Sequence, residues 1–587
     1  MKKFLVLFLV LAFVLSVVSA YTLTILETTD LHGHIYPVDY SNNMTTNYGL
    51  ARIATLIQKI RSQQPNVLLF DDGDLIQGSP LEYYHAAIDN SGIDPMIAIM
   101  NYLNYNAMTL GNHEFNYGQD VLRKAIKEAN FPITSANVVN SETMKPEYGN
   151  GYVIFNMKDG PRVGYIALTT QYIPNWEEPS HIKGLDFLDA VNTAQKYVDL
   201  LKSMGVDVII VGYHGGLERN PANGNPTEEL TGENEGYAIA TQVNGISALL
   251  LGHQHLSYAL KIGNLPVVMA SYWGNALGKI TLNLSNENGK WVIMSSDATL
   301  ISAKGVTPDA TVMAIVQSEE NATQKWLDQP LGESLGDFYV SNPMYTRMRD
   351  NALIQFVNTV QMYYTGSQIS STALFSNDVR GWKKGPVTMR DVMAVYIYPN
   401  TLNVIEVNGK DIRAALEQTA SYFTFENGKV GVSNMPAYNY DMYEGISYVI
   451  DLTKPVGQRI VWLAYDGKPL SDDATYDIVL NNYRAGGGGN YMMFKGKSVV
   501  KSVMMEVSEL MADYIRSQKM ICPSVDQNWE VITRPFEDLF QTYTISQGDT
   551  LESLAIKFNT SVQQIIGLNA LKNNTLQTGE VIIVPKS

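Results

Sequence analysis

Short apolar runs alternate with amphipathic stretches over the first 300 residues, and five of the runs end in polar clusters. Leu23 to Leu26 leads into T-T-D-L-H-G-H, and Val67 to Phe70 leads into D-D-G-D. A-M-T-L leads into G-N-H-E-F, V-I-I-V-G-Y precedes His214, and L-L-L-G leads into H-Q-H. Helix-compatible stretches lie between them, near Pro95 to Leu103 and from Leu188 to Met204. The alternation predicts an α/β fold, a sheet covered by helices. A strand that ends in a polar loop is how such a sheet sets side chains over its carboxyl edge.

Further along, residues 306–330 hold a polar, helix-compatible segment, Asp309 to Leu327, between Pro308 and Pro330. Capping signals at both ends predict a linker helix. It separates a first domain, 21–305, from a second, 331–535. The second has its own helices (Asn351 to Tyr364, Asp411 to Tyr422) and strands (Leu402 to Val407, Ser447 to Asp451, Asp477 to Leu480), with a glycine run, Gly486 to Gly489, where a strand ends. A small third unit, 541–587, reads strand, two helices and strand. At the other end Lys2 and Lys3 precede an apolar run, Phe4 to Val18, and the small-residue signal Val18-Ser19-Ala20. Residues 1–20 are expected to be a signal peptide, because the run is short for a membrane anchor. The mature chain is then expected to be exported, to the periplasm or the cell wall and medium, with no membrane span.

An apolar content of 45% in 587 residues is that of a globular, multidomain chain. The net charge is −16, and −18 once Lys2 and Lys3 are removed, which argues against polymeric nucleic acid as a partner. Small phosphates remain compatible, since a metal pair reverses the local field. Cys522 is the single cysteine, so no intrachain disulfide forms and stability rests on the core.

The polar clusters carry carboxylate, amide and imidazole donors, a set suited to two neighbouring divalent transition metals, Mn, Zn, Co or Fe. Asp30 and His32, two apart on a segment read as extended, are expected to share one side and one ion. Asp74 is the natural bridging carboxylate. Asn112 adds a neutral oxygen, and His214, His253 and His255 add imidazole nitrogens. The last two are spaced to reach different ions. A metal pair about 3.5–4 Å apart clamps a phosphoryl group and lowers the pKa of bound water from about 15.7 to near 7. His113 follows a ligand directly and is placed to donate a proton or a charged hydrogen bond to the phosphate. His34, His85 and His181 lack such a setting and are read as solvated or structural.

On D-L-H, G-D, G-N-H-E, the isolated His214 and G-H-Q-H, in that order, the chain resembles the calcineurin-like metallophosphatases in their two-domain 5′-nucleotidase branch. The resemblance implies a four-layer sandwich, helices outside two sheets, followed by an α/β substrate-binding domain. It assigns Asp30, His32, Asp74 and His255 to one ion and Asp74, Asn112, His214 and His253 to the other, with His113 catalytic. Within the branch, D-G-D-L-I-Q-G-S-P-L, L-G-N-H-E-F-N-Y-G, Y-N-Y-D-M-Y-E-G and N-N-Y-R-A-G-G-G-G are most similar to the 2′,3′-cyclic-nucleotide 2′-phosphodiesterase/3′-nucleotidases. Asn116 stands where 5′-nucleotidases have the aspartate that pairs with the catalytic histidine. Gly489 stands where they have a ribose-binding aspartate. By the same resemblance Tyr440 and Tyr483 sandwich the base, and Arg380 and Asn377 contact substrate. The third unit, with Y-T-I-S-Q-G-D-T-L and V-I-I-V-P, resembles a βααβ LysM module, which implies binding to peptidoglycan or another N-acetylglucosamine glycan.

The resulting expectation is an exported phosphoesterase that opens 2′,3′-cyclic nucleotides to 3′-nucleotides and then releases nucleoside and phosphate. The alternatives are a 5′-nucleotidase or nucleotide-sugar hydrolase, an inactive wall-binding protein on the same fold, and an enzyme acting on wall-glycan phosphate.

Overall fold

Two six-stranded sheets form from the alternating runs of the first domain in a computed structural model of the chain, which describes residues 20–586 apart from 229, 399, 504 and 572–574. The expected signal peptide therefore lies outside the described residues, save Ala20. The first sheet runs Lys290–Ser302, Ala276–Glu287, Ala20–Thr28, Val67–Asp71, Ala107–Thr109, Ile133–Thr134. The second runs Ser257–Ile262, Leu265–Ala270, Ala248–Leu251, Val208–His214, Arg162–Thr169, Tyr152–Asn156. Within each, the strands that lead into the polar clusters are parallel.

Strand alternation sends one set of apolar side chains into the space between the sheets. Leu23, Ile25, Phe70, Tyr165, Val208, Ile210, Leu250 and Ile280 fill it, with Phe70 and Tyr165 stacked at 4.2 Å. The opposite faces are covered by helices. Leu50–Gln63, Pro95–Tyr102 and Gly118–Glu128 belong to one outer layer, and Ala190–Ser203 and Gly236–Gln242 to the other. The result is the four-layer arrangement, and it puts the carboxyl ends of five parallel strands along one rim.

The segment expected as one linker helix is two, Ala310–Ile315 and Gln317–Leu327, parted at Val316. It is not a free spacer. Val312, Val316 and Leu327 are buried in the first domain's core, and Trp326 stacks on Tyr83. Arg390 of the second domain then clamps it, with bonds to Gln324 and Asp328.

The second domain is built on a five-stranded sheet, Asp441–Glu444, Ile369–Ala373, Thr475–Asn481, Leu402–Asn408, Val499–Val503, with helices Ala352–Thr365 and Gly409–Ala420 packed on it. The third unit is the expected strand, two helices and strand: Phe540–Thr544, Leu551–Lys557, Val562–Leu568 and Val581–Pro585. It docks on the second domain. Phe540, Leu568 and Ile583 pack with Val449 and Ile532, and the Trp462 indole donates to Leu568 O at 2.9 Å.

Candidate metal centre and substrate cleft

The loops at the rim fold into two triads of donor atoms, Asp30, His32 and His255 in one, Asp74, His214 and His253 in the other. Each triad lies within 4.8 Å. His32 Nε2 and His255 Nε2 are 3.0 Å apart, and His255 Nε2 is 3.4 Å from Asp30 Oδ1. His214 Nε2 is 3.1 Å from both Asp74 Oδ2 and Asn112 Oδ1, and His253 Nδ1 is 2.8 Å from Asn112 Oδ1. Asp74 Oδ2 stands between the triads, 3.9 Å from His32 Nε2. All seven ligand candidates are thus brought together.

One expectation about how they converge is wrong. Asp30 and His32 do not share a face of an extended segment. Both are left-handed (φ 50° and 47°), as are Asp74, His253 and His255 (57°, 72°, 57°). Five non-glycine residues in this region of the backbone, each disfavoured by about 1–2 kcal/mol, bend the loops inward. Surrounding bonds hold them there. Glu114 accepts from the backbone N–H of Asp74 (3.0 Å) and Leu75 (2.6 Å) and from Gly111. Asp30 accepts from His253 N at 3.0 Å and from the Thr29 hydroxyl at 2.7 Å.

The donor set fits metal ions. His32 donates Nδ1–H to Gln77 O (3.0 Å) and His214 donates Nδ1–H to Asp72 O (2.6 Å), so both present bare Nε2 lone pairs to the centre. Lone pairs of nitrogen and oxygen then face one another, an arrangement that a cation between them relieves and that fixes the ring tautomers. The electrostatics show the same demand. Burial opposes charge on His214, yet the adjacent Asp74 carboxylate holds its pKa well above the usual value. Burial pushes the His32 pKa down to about 3, keeping a neutral ligand.

His113 lies over this centre, its ring centroid 5.2 Å from that of His32. Its backbone N–H donates to Asp74 Oδ1 at 2.8 Å. Its Nδ1 donates to Asn116 Oδ1 at 2.6 Å, and Asn116 Nδ2 donates to Glu177 Oε2 at 2.6 Å. Glu177 Oε1 is 2.9 Å from His181 Nδ1. Sequence reading missed Glu177 and gave His181 no role, for nothing in their local pattern marks them. His34 and His85 are buried structural residues: His34 stacks on Trp273 at 4.4 Å and His85 pairs with Glu319 at 2.7 Å.

The second domain closes against this rim. Trp176 stacks on His253 (5.3 Å), and its carbonyl accepts from Asn482 Nδ2 at 3.1 Å. Lys495 Nζ donates to Tyr172 OH at 2.7 Å. Gly486 lies so near Asn175 O that a Cβ would sit 2.3 Å from it, so only glycine fits. Gly489 (φ 69°) is also confined. A Cβ there would meet the side-chain ends of Asn439 at 2.1 Å and Arg484 at 2.4 Å, so a larger residue would require those side chains to move. Buried Arg484, paired with Asp441 at 2.8 Å and lying over the Tyr491 ring, shapes the glycine loop from beneath. It stands in N-N-Y-R-A-G-G-G-G without having been singled out.

Tyr440 does not face a ligand. Its ring is fully buried against Tyr422 and Phe423, and its hydroxyl donates to Arg347 O at 2.6 Å. Tyr438 is the exposed ring of that motif, at 37%, edge-on to Tyr398 at 6.3 Å. Tyr483 is half-buried, and in the first domain Glu233 Oε1 is 3.1 Å from His253 Nε2. On the first-domain side, Tyr272 stacks on His255. Asn482, the residue before Tyr483, bonds to Trp176, which stacks on His253, so the Tyr483 loop of the second domain adjoins the metal-site residues. Arg380 and Asn377 lie on an exposed loop of this domain and bond each other, Arg380 Nη1 to Asn377 O at 2.6 Å. That loop follows Phe375, whose ring packs on Tyr398.

Three family models match the chain: calcineurin-like phosphoesterase over residues 23–257, 5′-nucleotidase C-terminal domain over 332–496, and LysM domain over 543–585. The 2′,3′-cyclic-nucleotide 2′-phosphodiesterase/3′-nucleotidase of Haemophilus influenzae is 31% identical over 87% of this chain and 87% of its own length. The trifunctional nucleotide phosphoesterase YfkN of Bacillus subtilis is 32% identical over 87% of this chain, which spans 39% of that longer protein. A Staphylococcus aureus crystal structure, provisionally assigned as a 5′-nucleotidase and bound to α-ketoglutarate, is 33% identical with a TM-score of 0.78, covering 87% of this chain and 100% of that one. The chain belongs to the two-domain calcineurin-like phosphoesterase family that contains these proteins, and it carries a LysM domain in addition.

Proposed function

We propose that this metal-dependent phosphoric ester hydrolase opens 2′,3′-cyclic nucleotides to 3′-nucleotides and then releases nucleoside and phosphate. The observation that carries the reading is the bond from Asn482, the residue before Tyr483, to the carbonyl of Trp176, whose ring stacks on His253, which brings an aromatic loop of the second domain beside the metal-site residues. Base stacking is tolerant of base identity, so broad base specificity follows.

In this reading Asp30, His32 and His255 hold one divalent ion, Asn112, His214 and His253 hold the other, and Asp74 serves both. The ions, Mn, Zn, Co or Fe, would polarise the phosphoryl group and supply hydroxide at neutral pH. The chain's own groups do the rest. His113, oriented through Nδ1–H by Asn116, presents Nε2 to the reacting phosphate as a proton or hydrogen-bond donor. Tyr438 and Tyr483 grip the base, with Arg380 and Asn377 at the edge of the same cluster. Glycine at 489, where a 5′-nucleotidase carries a ribose-binding carboxylate, favours the cyclic phosphodiesterase reading. The relatives' names support nucleotide substrates.

The chain is further proposed to act outside the cytoplasm and to be retained on peptidoglycan by its LysM domain. No described helix is long and apolar enough to cross a membrane. The deciding experiment is a panel of 2′,3′-cyclic AMP, 3′-AMP, 5′-AMP and a nucleotide sugar, each with Mn, Zn or Co added back. Highest kcat/KM on the cyclic nucleotide supports the reading, and preference for 5′-AMP rejects it.

A further inference from the structure

Three carboxylates far from the rim converge in the second domain. Asp350 lies between the short helix Pro343–Thr346 and helix Ala352–Thr365, Glu444 ends strand Asp441–Glu444, and Asp526 lies on the irregular segment before strand Trp529–Ile532. One oxygen from each lies within 4.8 Å of the others. The surrounding donors satisfy only part of the set. Gln527 N donates to Asp350 Oδ2 (2.8 Å), Asn528 N to Asp526 Oδ1 (3.2 Å), and Asn528 Nδ2 to Glu444 Oε2 (3.0 Å). Asp350 Oδ1 and Glu444 Oε1 are left buried without a hydrogen-bond partner, on residues only 8% and 1% exposed. Asn528 Oδ1, on the same segment, is also buried and unpartnered.

We infer that Asp350, Glu444 and Asp526 form a third cation site, for calcium, that fastens the segment beneath the LysM domain to the second domain. The donors are all oxygen, which suits a hard cation and not the transition metals of the histidine-rich rim. At a Ca–O distance of about 2.3–2.6 Å, two oxygens on one ion lie at most about 4.6–5.2 Å apart, so a cluster within 4.8 Å can share one ion. Burial raises all three carboxyl pKa values, and repulsion from the neighbouring carboxylates adds to it at Glu444 and at Asp350, which is pushed up to about 7, while a bond with Asp350 works the other way on Asp526. The competing arrangement is a proton shared between Asp350 and Asp526 beside a neutral Glu444. The site also has a mechanical setting. Gln563 Nε2 donates to Val525 O (3.1 Å), and Gly567 comes so near Asp526 O that a Cβ would sit 2.0 Å away. Helix Val562–Leu568 of the LysM domain therefore rests on the cation-holding segment.

The test uses the full chain stripped with EDTA, followed by calcium titration calorimetry and thermal unfolding. The wild type should bind one calcium that Glu444→Gln, Asp350→Asn and Asp526→Asn each lose, and should melt about 5 °C higher with saturating calcium. The variants should lose that increment, retain manganese-supported phosphatase activity as proof of folding, and melt no lower than wild type in EDTA, since each removes a repelling charge. Equal calcium increments in wild type and variants, or none in wild type, would overturn the site in favour of the shared proton. An equal increment from magnesium would overturn the calcium assignment.

Discussion

The Asn116 amide stands between His113 and Glu177, 2.6 Å from each. A carboxylate only accepts, so Glu177 must face the amide NH₂, and the amide oxygen must face His113 Nδ1. Glu177 thus fixes, through a neutral intermediary, the tautomer that an aspartate at position 116 would fix directly. Glu177→Gln can both donate and accept, and it frees the amide to flip. It should lower kcat roughly 10-fold with KM unchanged, in line with the loss of an outer-shell partner. In an Asn116→Asp background the same substitution should have no cost, because it relieves a carboxylate pair. Steady-state kinetics on the four proteins of this cycle check it. An equal loss in both backgrounds would mean a merely structural Glu177.

Tyr438 and Tyr440 should respond oppositely to truncation. Tyr438→Ala should raise KM for nucleotides about 10- to 100-fold, since stacking on a base is worth about 1–3 kcal/mol, and should spare a small aryl phosphate. Tyr440→Ala should leave a core cavity and lower stability by about 3–5 kcal/mol. Kinetics and denaturant unfolding of both variants separate the two roles.

Asp74 and His255 should differ in metal stoichiometry. Asp74 Oδ2 lies between the two triads, whereas the His255 ring is 40% exposed at the edge of one. Asp74→Asn should lose both ions and reduce activity by at least about 10³-fold, since both supply the nucleophile. His255→Ala should lose one. Metal analysis after dialysis and activity at saturating manganese give the answer.

Glu506 gives the domain seam a pH dependence. Its carboxyl acts on Tyr83 and Tyr117 of the first domain. Burial, then the neighbouring Glu509, pushes its pKa up to about 8. A carboxyl raised on folding stabilises fully at low pH, and the contribution is lost as pH rises from its unfolded value, about 4.3, through 8. Stability should therefore fall between about pH 4.3 and pH 8 and level off above that, and Glu506→Gln should flatten that fall. Melting curves of both proteins across this range provide the measurement.

The rim was legible because its signals are local. Each of Asp74, Asn112, His214 and His253 closely follows or ends an apolar strand of period two, and parallel strands deliver their carboxyl ends to one edge. The glycine run was half legible. Its dependence on close approach to Asn175 and Asn439 appears only when the chain is folded. Glu177, His181 and Glu233 carried no signal, because a lone acid or histidine in a polar loop looks the same whether it faces solvent or another segment. The linker's periodicity does not reveal that Val312, Val316 and Leu327 find a core on the first domain, because its pattern is mostly polar.

By itself the sequence determined the donors, the sheet-and-helix layering and the order of three domains, since these follow from residue type and periodicity. Tertiary structure decided the directions. Asp30 and His32 converge through left-handed backbone and not through strand alternation. Tyr438 is exposed while Tyr440 is buried, because the chain passes through a 3₁₀ turn, Ala437–Asn439, where residues two apart no longer share a face. Periodicity reports a side chain's direction only while the backbone repeats, and at the site it does not.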